Sequence, residues 1–291
     1  MQVVYHIGAH FIDEGRLVRC LLDNAAMLEQ RGCVVPHPRR YRAQFRNTLN
    51  ALRGGPADDA TQEALLDGAT DVDHFDRILF CHDNFIGFPV QMISDDGFYA
   101  LAPARLRALV NLFPEAETEV HLALANPATL LPPLLRFLKD RSYAEVMAGH
   151  SPLALRWAPV VRQIAAALEG RRLVVWCNED TPLIWPDVLR SLADVPPEVE
   201  MAGDDAVLAA IMAPEGLVQL RAQLAGTPPA DRAARQALVA AALDQFALPE
   251  RLEIEIPLPG WTDDLVARIS AAYDADVAAI TAMPGVDFIA P

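Results

Sequence analysis

Short apolar runs that alternate with helical patterns constrain the fold of this chain more than any other feature. Residues 3–8 form such a run, and leucines recur at helical spacing in the segment 13–32 that follows. Three later runs, at 77–81, 119–124 and 171–176, are also bounded by polar residues and followed by helical patterns. Strands that are apolar throughout are typical of parallel sheets covered on both faces. The alternation therefore predicts a three-layer α/β fold around a mainly parallel sheet.

Helical periodicity accounts for most of the remaining chain. Before residue 197 it appears at 39–52, 61–68, 103–112, 129–140, 153–168 and 182–192. After residue 197 the chain is alanine-rich, with amphipathic stretches at about 204–224, 230–246 and 261–282, separated by GTPP and by a PLPG turn. Alanine-rich helices bury little area and need another surface to pack on. We therefore expect a single domain over 1–291, with a core at about 1–197 and a C-terminal helical extension at about 198–291.

Composition and charge narrow the choice of partners. The chain has 39 acidic and 24 basic residues and a net charge of -15, whereas a nucleic-acid binder needs a basic face. No apolar run approaches the roughly 20 residues that span a bilayer, and the first ten residues carry no basic signal region. The four cysteines are far apart and match no metal-ligand spacing. We expect a soluble, cytoplasmic protein that binds neither nucleic acid nor membrane and holds no metal.

The most promising place for a ligand is the loop between the first strand and the first helix. In parallel α/β sheets, ligands bind beyond the carboxyl ends of the strands. This loop, HIGAHFIDEG from His6 to Gly15, joins a strand, a glycine and a helix start. That combination lets backbone N–H groups and the helix dipole hold a phosphate.

At this loop the chain resembles the P-loop sulfotransferases, in particular bacterial members whose first strand and loop read approximately hIGahKTGTTsLQ. The match runs over His6, Ile7, Gly8, Ala9 and His10 and resumes at Leu17. Later stretches resemble other family segments in order and spacing, namely ILFCHDNF (78–85), LALANP (122–127), LVVWCNED (173–180) and the closing segment 273–289. The resemblance implies a fold of the P-loop nucleoside triphosphate hydrolase and sulfotransferase type. It also implies the donor 3′-phosphoadenosine 5′-phosphosulfate and a small-molecule or carbohydrate acceptor.

The chain departs from the family at the residues that hold this donor. In place of the family's lysine and Thr-Gly-Thr-Thr it has Phe11, Ile12, Asp13, Glu14 and Gly15. The arginine and serine that hold the 3′ phosphate in the family fall, by spacing, on an alanine and a proline, Ala125 and Pro133. Losing two or three charge-assisted hydrogen bonds removes roughly 4 to 8 kcal/mol of binding. We therefore predict weak or lost donor binding, with Asp13 acting as a helix cap.

Histidines and acids near the strand ends are the candidates for chemistry. His82 and Asp83 emerge at the end of the third predicted strand, where His82 is the best candidate for a general base toward an acceptor hydroxyl. Because neighbouring strand residues point to opposite sides, we expect the two to make a poor pair with each other. His10 completes the catalytic candidates, and we expect His6, Gly8 and Ala9 to lie beside it in the donor-binding loop, with a hydrogen-bonded position in the core as the alternative for His6.

Two further acidic residues follow a later strand, and two other functional classes remain as alternatives. We expect Glu179 and Asp180 to cap the helix that follows them. A binding or assembly protein is one alternative to a transferase. In it, Phe11 and Ile12 would fill the pocket that holds the donor in the family, and the alanine-rich helices would form a homodimer. A transferase that uses another donor is the other alternative.

Overall fold

The computed structural model describes residues 1–228, 231–252, 258 and 260–291. The strands of this part of the chain are β1 (Gln2–His6), β2 (Cys33–Val34), β3 (Arg77–Cys81), β4 (Ile93–Ser94), β5 (Gly97–Phe98), β6 (Glu117–Leu124), β7 (Arg172–Cys177) and β8 (Val286–Ile289). The predicted GTPP turn (226–229) and PLPG turn (257–260) lie partly outside the described residues.

Helices make up most of the rest. The α-helices up to residue 193 are α1 (Arg16–Asp23), α2 (Ala25–Glu29), α3 (Pro38–Leu52), α4 (Asp59–Ala69), α5 (Ala102–Val110), α6 (Pro127–Phe137), α7 (Tyr143–Met147), α8 (Trp157–Leu168) and α9 (Thr181–Ala193). Those beyond it are α10 (Leu208–Ile211), α11 (Pro214–Ala225), α12 (Arg232–Phe246), α13 (Pro249–Leu252) and α14 (Asp263–Thr281). Short 3-10 helices cover Asp83–Ile86, Pro89–Gln91, Pro152–Ala154 and Asn178–Asp180.

A six-stranded sheet in the order β2-β3-β1-β6-β7-β8 forms the centre of the fold. Every pairing within it is parallel, and β1 lies between β3 and β6. Helices cover both faces: α3, α5 and α8 pack on the face that carries Tyr5 and Phe80, and α1 and α9 pack on the face that carries Val4 and Leu79. The predicted three-layer α/β architecture with a parallel sheet is thus confirmed.

Burial explains why the four long strands are mostly apolar, with Arg77, Glu119 and His121 among the buried exceptions. In β1 the residues from Val3 to His6 are buried, and all five residues of β3 are buried. A strand covered on both faces has no solvent side on which polar residues could alternate. Burying a large apolar side chain contributes about 1.5 to 3 kcal/mol, so the two layers of helices stabilise every position of such a strand.

The two edge strands and one helix break were not predicted. The extension at about 198–291 was expected to be helical, but its end, β8, pairs with β7 and completes the sheet. The single helix predicted over 13–32 is two helices, α1 and α2, separated at Asn24. The buried Asn24 amide donates hydrogen bonds to the carbonyls of Cys20 and Ala202 and accepts one from the Ala202 amide. Its side chain competes with the helical backbone for these partners.

A buried cluster of charged side chains links β3, β6 and β7 near the amino ends of these strands. Glu119 on β6 is 1% exposed and pairs with Arg77 on β3 and Arg172 on β7. Its oxygens also accept hydrogen bonds from these arginines and contact His121. Burial alone would raise the pKa of Glu119, but these partners hold that pKa well below its usual range. Arg77 also donates to the Leu192 carbonyl in the last turn of α9, where a cation is favourable.

The later helices fall into two sets. The helices from α10 to α12 share a small apolar cluster of their own, which includes Leu220 and Val239. By contrast, α14 contributes Tyr273 and Ile280 to the main core. Among the described residues, no helix is long and apolar enough to cross a membrane.

Candidate functional site

Four of the five stretches that carry the family resemblance, all but the closing segment 273–289, lie along one edge of the sheet. Parallel strands end at the same edge, and β1, β3, β6 and β7 end at His6, Cys81, Leu124 and Cys177. Each of the four stretches covers such a strand end and the residues that follow it. The predicted site residues therefore lie on neighbouring loops, as expected for a ligand site in this class of fold.

The first loop forms the predicted turn from strand to helix, and Asp13 occupies its backbone donors. The Asp13 carboxylate accepts hydrogen bonds from the amides of Gly15 at 2.9 Å and Leu17 at 2.8 Å. The Arg16 amide donates to the Asp13 carbonyl. The predicted capping role of Asp13 is confirmed, although the carboxylate acts from two residues before Gly15, the N-cap position of α1. These three amides at the helix start already have partners within the chain.

The beginning of the loop is joined tightly to neighbouring strand ends. The Ala9 amide donates to the Ala123 carbonyl, and the Ala123 amide donates to the Gly8 carbonyl, so ladder pairing with β6 continues past β1. Gly8 has φ of +120°, a backbone conformation that side chains rarely adopt. A Cβ atom there would also approach the Asp83 Cα to 3.7 Å. The positive φ, and not this ordinary van der Waals distance, is what favours glycine here.

The side chain of His10, a residue of this loop, is buried and fully hydrogen-bonded. Its Nδ1 lies 2.9 Å from Tyr99 Oη, and its Nε2 lies 3.1 Å from the Gly87 carbonyl. Because a carbonyl can only accept, Nε2 carries the proton and Nδ1 accepts from the tyrosine hydroxyl. The same hydroxyl accepts from the His10 amide. Burial lowers the pKa of His10, which keeps the ring neutral. This set of bonds leaves His10 no nitrogen for a substrate.

His6 is buried at the end of β1 beside a tryptophan. Its ring stacks on Trp176 with a centroid distance of 5.7 Å, and its Nε2 has no hydrogen-bond partner among the described residues. Burial lowers the pKa of His6 to about 4, although the nearby Asp13 and Asp83 favour the charged form. The expectation of a hydrogen-bonded core histidine is therefore met in burial but not in bonding.

His82 and Asp83 lie together, contrary to expectation. Their Nδ1 and Oδ1 atoms are 3.1 Å apart, but their orientation leaves Nδ1 without a hydrogen bond among the described residues. The prediction of opposite orientation was wrong because β3 ends at Cys81 and Asp83 opens a 3-10 helix, where strand alternation no longer applies. His82 and other neighbours hold the pKa of Asp83 below its usual value against the effect of burial. The two catalytic candidates are thus close together but not hydrogen-bonded to each other.

A pocket of about 540 Å³ opens beside this pair. Its walls come from the first loop, the first turns of α3, the segment after β3 and the last residue of α6. They are formed by Phe11, Arg42, His82, Asp83, Asn84, Phe88, Pro89, Val90 and Phe137. Of the residues assigned to the site from the sequence, Phe11, His82 and Asp83 line this pocket, whereas His6, Gly8, Ala9, His10, Asp13, Glu14 and Gly15 are not part of its lining.

Glu179 caps a helix, but not the one predicted. Its carboxylate accepts hydrogen bonds from the amide of Asn126, the N-cap residue of α6, and from the hydroxyl of Tyr273 on α14. Burial raises the pKa of Glu179 and that of Asp180. Asp180 occupies the N-cap position of α9, but neither carboxylate accepts a hydrogen bond from the first turn of that helix among the described residues, so the predicted side-chain cap was wrong.

Several pocket residues carry no signal in the sequence. Arg42 belongs to a run of arginines on α3 that reads as a solvated helix face, and Phe88 and Phe137 follow no motif. Tyr99, the partner of His10, has a positive φ and lies far from the first loop in the chain. Only the fold brings these residues together. Within the described ranges, no group of three or more histidine, cysteine, aspartate or glutamate residues could hold a metal ion.

Comparison with known proteins gives a match among solved structures and none in sequence. No protein-family model matches the chain, and no curated protein is similar to it. Among solved structures, a sulfotransferase from Alicyclobacillus acidocaldarius is similar over 81% of this chain and 95% of its own length. The two share 14% sequence identity, and the TM-score is 0.42.

Proposed function

We propose that this chain is a sulfotransferase-like protein whose first loop no longer binds 3′-phosphoadenosine 5′-phosphosulfate. Four of the five motif-like stretches support the sulfotransferase-like part, because they reach the carboxyl edge of one parallel sheet. The hydrogen bonds of Asp13 support the loss of the donor, and this observation carries the proposal.

Asp13 occupies the place in the hydrogen-bond network that a donor phosphate would need. Its two carboxylate oxygens accept from the amides of Gly15 and Leu17 at the start of α1. A carboxylate at this position interacts favourably with the helix dipole and repels a second anion. Glu14 adds another negative charge, and the neighbouring Arg19 guanidinium is bonded to the Glu14 carbonyl. The residues present at the loop therefore do not fit a phosphosulfate group.

Isothermal titration with 3′-phosphoadenosine 5′-phosphate tests the donor proposal. We expect no saturable binding at ligand concentrations up to about 1 mM, because the missing contacts weaken a micromolar site about a thousandfold or more. Arg16 begins α1 and is the basic side chain next to the loop. Low-micromolar binding that is lost in Arg16→Gln would contradict the proposal and would show that the loop still holds an anion.

A transferase with a different donor is the second candidate, and the arrangement of His82 and Asp83 favours it. His82 lies at the edge of a pocket with a carboxylate oxygen 3.1 Å from its Nδ1, which brings a candidate general base and an acid together, although the two are not hydrogen-bonded in this arrangement. Release of p-nitrophenol from p-nitrophenyl sulfate, in the presence of a phenolic acceptor, measures transfer from a donor without a nucleotide. Turnover that is lost in His82→Ala but kept in His74→Ala, a change at an exposed histidine, favours this candidate. Turnover equal to the buffer background favours a binding protein.

A further inference from the structure

We propose that the pocket lined by Phe11, Arg42, His82, Phe88 and Phe137 binds a small molecule with an aromatic body and a single anionic group, such as an aryl carboxylate. The proposal concerns only this pocket and does not depend on whether the first loop binds a nucleotide. It rests on the apolar surface, the charges and the size of the pocket.

The pocket gathers exposed apolar side chains from separate parts of the chain. Among the described residues, the large apolar side chains with the greatest exposure are Met1, Phe88, Val90, Phe137, Val218 and Leu252. Three of these six line this one pocket. Phe137 is 60% exposed although it ends a helix that is otherwise well buried. Exposed apolar side chains that converge on one concavity are typical of a binding site, whereas single scattered ones are not.

The aromatic rings are arranged as the wall of a cleft. Phe11 and Phe137 lie 5.6 Å apart between ring centroids, tilted at 51°. Phe88 is covered on one side by the guanidinium of Arg105, 5.7 Å from its ring centroid. This contact holds Phe88 in place at the side of the pocket. Rings at these spacings favour the faces and edges of another aromatic group. The volume of about 540 Å³ falls in the range of small-molecule sites.

Arg42 supplies a cation that has no assigned partner in the fold. It is exposed and makes no ion pair with the described residues, whereas its neighbour Arg40 is bound to Asp71. An arginine at the mouth of an apolar pocket favours a ligand with a planar anionic group, which it can bind through two hydrogen bonds. The cation therefore selects an anionic ligand over a neutral one of the same shape.

Asp83 limits the charge of that ligand. Asp83 lines the pocket, and its carboxylate accepts a hydrogen bond from the Asn84 amide. A second negative group in the ligand would meet this carboxylate and be repelled. His82 also lines the pocket, and neither of its ring nitrogens hydrogen-bonds to the described residues. One anionic group near Arg42 and an aromatic body along the phenylalanines match this arrangement, whereas a nucleotide with several phosphates does not.

Two fluorescent probes separate the anionic from the apolar contribution. 1-Anilinonaphthalene-8-sulfonate carries aromatic rings and one anionic group, and N-phenyl-1-naphthylamine is the matching neutral compound. We expect the folded protein to bind the anionic probe at one saturable site. Arg42→Gln should raise the Kd of the anionic probe about tenfold, the loss of one charge-assisted contact, and leave the Kd of the neutral probe within about twofold. Phe137→Ala should weaken both probes.

Matched controls decide whether the pocket is responsible. Arg46→Gln removes an exposed arginine from the same helix, and Val218→Ala shortens an apolar side chain that is 63% exposed elsewhere. Neither should change binding of either probe. The proposal is overturned if the anionic probe does not saturate below about 1 mM, if Arg42→Gln has no effect, or if Val218→Ala weakens binding as much as Phe137→Ala. Circular dichroism of each variant checks that the fold is kept.

The nuclear magnetic resonance signals of His82 provide a second test that does not depend on the apolar variants. The imidazole C–H resonances, assigned with His82→Gln, should shift as the anionic probe is titrated. If they stay unchanged while the probe binds, the site lies elsewhere and the proposal fails. Because the first loop is tested with a nucleotide and this pocket with aromatic probes, the two proposals fail separately.

Discussion

Replacing Asp276 with alanine should destabilise the contact between α14 and the body of the fold. Asp276 is 2% exposed. Its carboxylate accepts hydrogen bonds from the Trp157 amide at 2.8 Å and from two nitrogens of Arg156 at 2.6 and 2.9 Å. The Trp157 amide belongs to the first residue of α8, where no partner within the helix exists. Asp276→Ala leaves that buried amide without a partner and removes the charge that Arg156 faces.

The expected loss of stability is about 3 kcal/mol. Breaking a buried ion pair by removing one partner costs about 3 to 5 kcal/mol, and the 39% exposure of the Arg156 side chain places this pair at the lower end. A chain of 291 residues has an unfolding entropy of about 600 cal/mol/K near 60 °C. A loss of 3 kcal/mol therefore lowers the Tm by about 5 °C.

Thermal and urea unfolding, followed by circular dichroism, measure this loss. Asp274→Ala is the matched control, because Asp274 lies on the same helix but is exposed. We expect the control to change the Tm by less than about 1 °C, as for most surface substitutions. Equal effects of the two substitutions, or a Tm shift below about 1 °C for Asp276→Ala, would refute the inference that the Asp276 carboxylate stabilises the packing of α14 on the body of the fold.

Three further substitutions test other buried polar groups. Glu119→Gln should cost about 2 to 4 kcal/mol in urea unfolding because the buried Arg77 then faces no charge and Arg172 keeps only Asp287, whereas the exposed Glu117→Gln should have little effect. Because burial lowers the pKa of His6 from 6.5 to about 4, the unfolded chain binds more protons between these values, and stability falls as pH decreases through this window. The titration of His6 alone should lower the free energy of unfolding by about 2 kcal/mol as the pH falls from 8 to 5. The urea midpoint of His6→Asn should therefore depend less on pH than that of the unchanged protein, and an equal dependence would contradict the burial argument. Tyr99→Phe should cost about 1 to 3 kcal/mol in thermal unfolding because it removes both hydrogen bonds of His10 to the hydroxyl, and an unchanged Tm would argue against them.

The centre of the sheet could be predicted from the sequence, but its edges could not. The four long strands are buried on both faces, so each leaves an apolar run that stands out from the polar residues around it. The edge strands leave no such run. Strand β2 has two residues, and β8 includes an exposed aspartate, Asp287, that pairs with Arg172. Short, partly exposed strands are set by their neighbours in the sheet more than by their own residues.

The candidate site was predictable where local geometry decides it. A carboxylate just before a helix satisfies free amides whatever the rest of the chain does, so the capping role of Asp13 could be inferred from its position. The relation of His82 to Asp83 depended on where β3 ends, and strand ends are poorly marked in a sequence. The pocket depends on Phe11, Arg42 and Phe137, which come from three separate elements. No local rule relates such distant residues.

The position of β1 bears on the order in which the chain acquires its structure. Its two neighbours in the sheet, β3 and β6, come much later in the chain, and the contact of Gln2 with Glu117 spans 115 residues. Closing loops of this length carries an entropic penalty that must be met before the pairing yields any gain. Proteins rich in such distant pairings reach the native state slowly. We therefore expect the first strand to pair late in folding, after its partners from the middle of the chain are available. Until then its apolar residues are exposed and prone to aggregation.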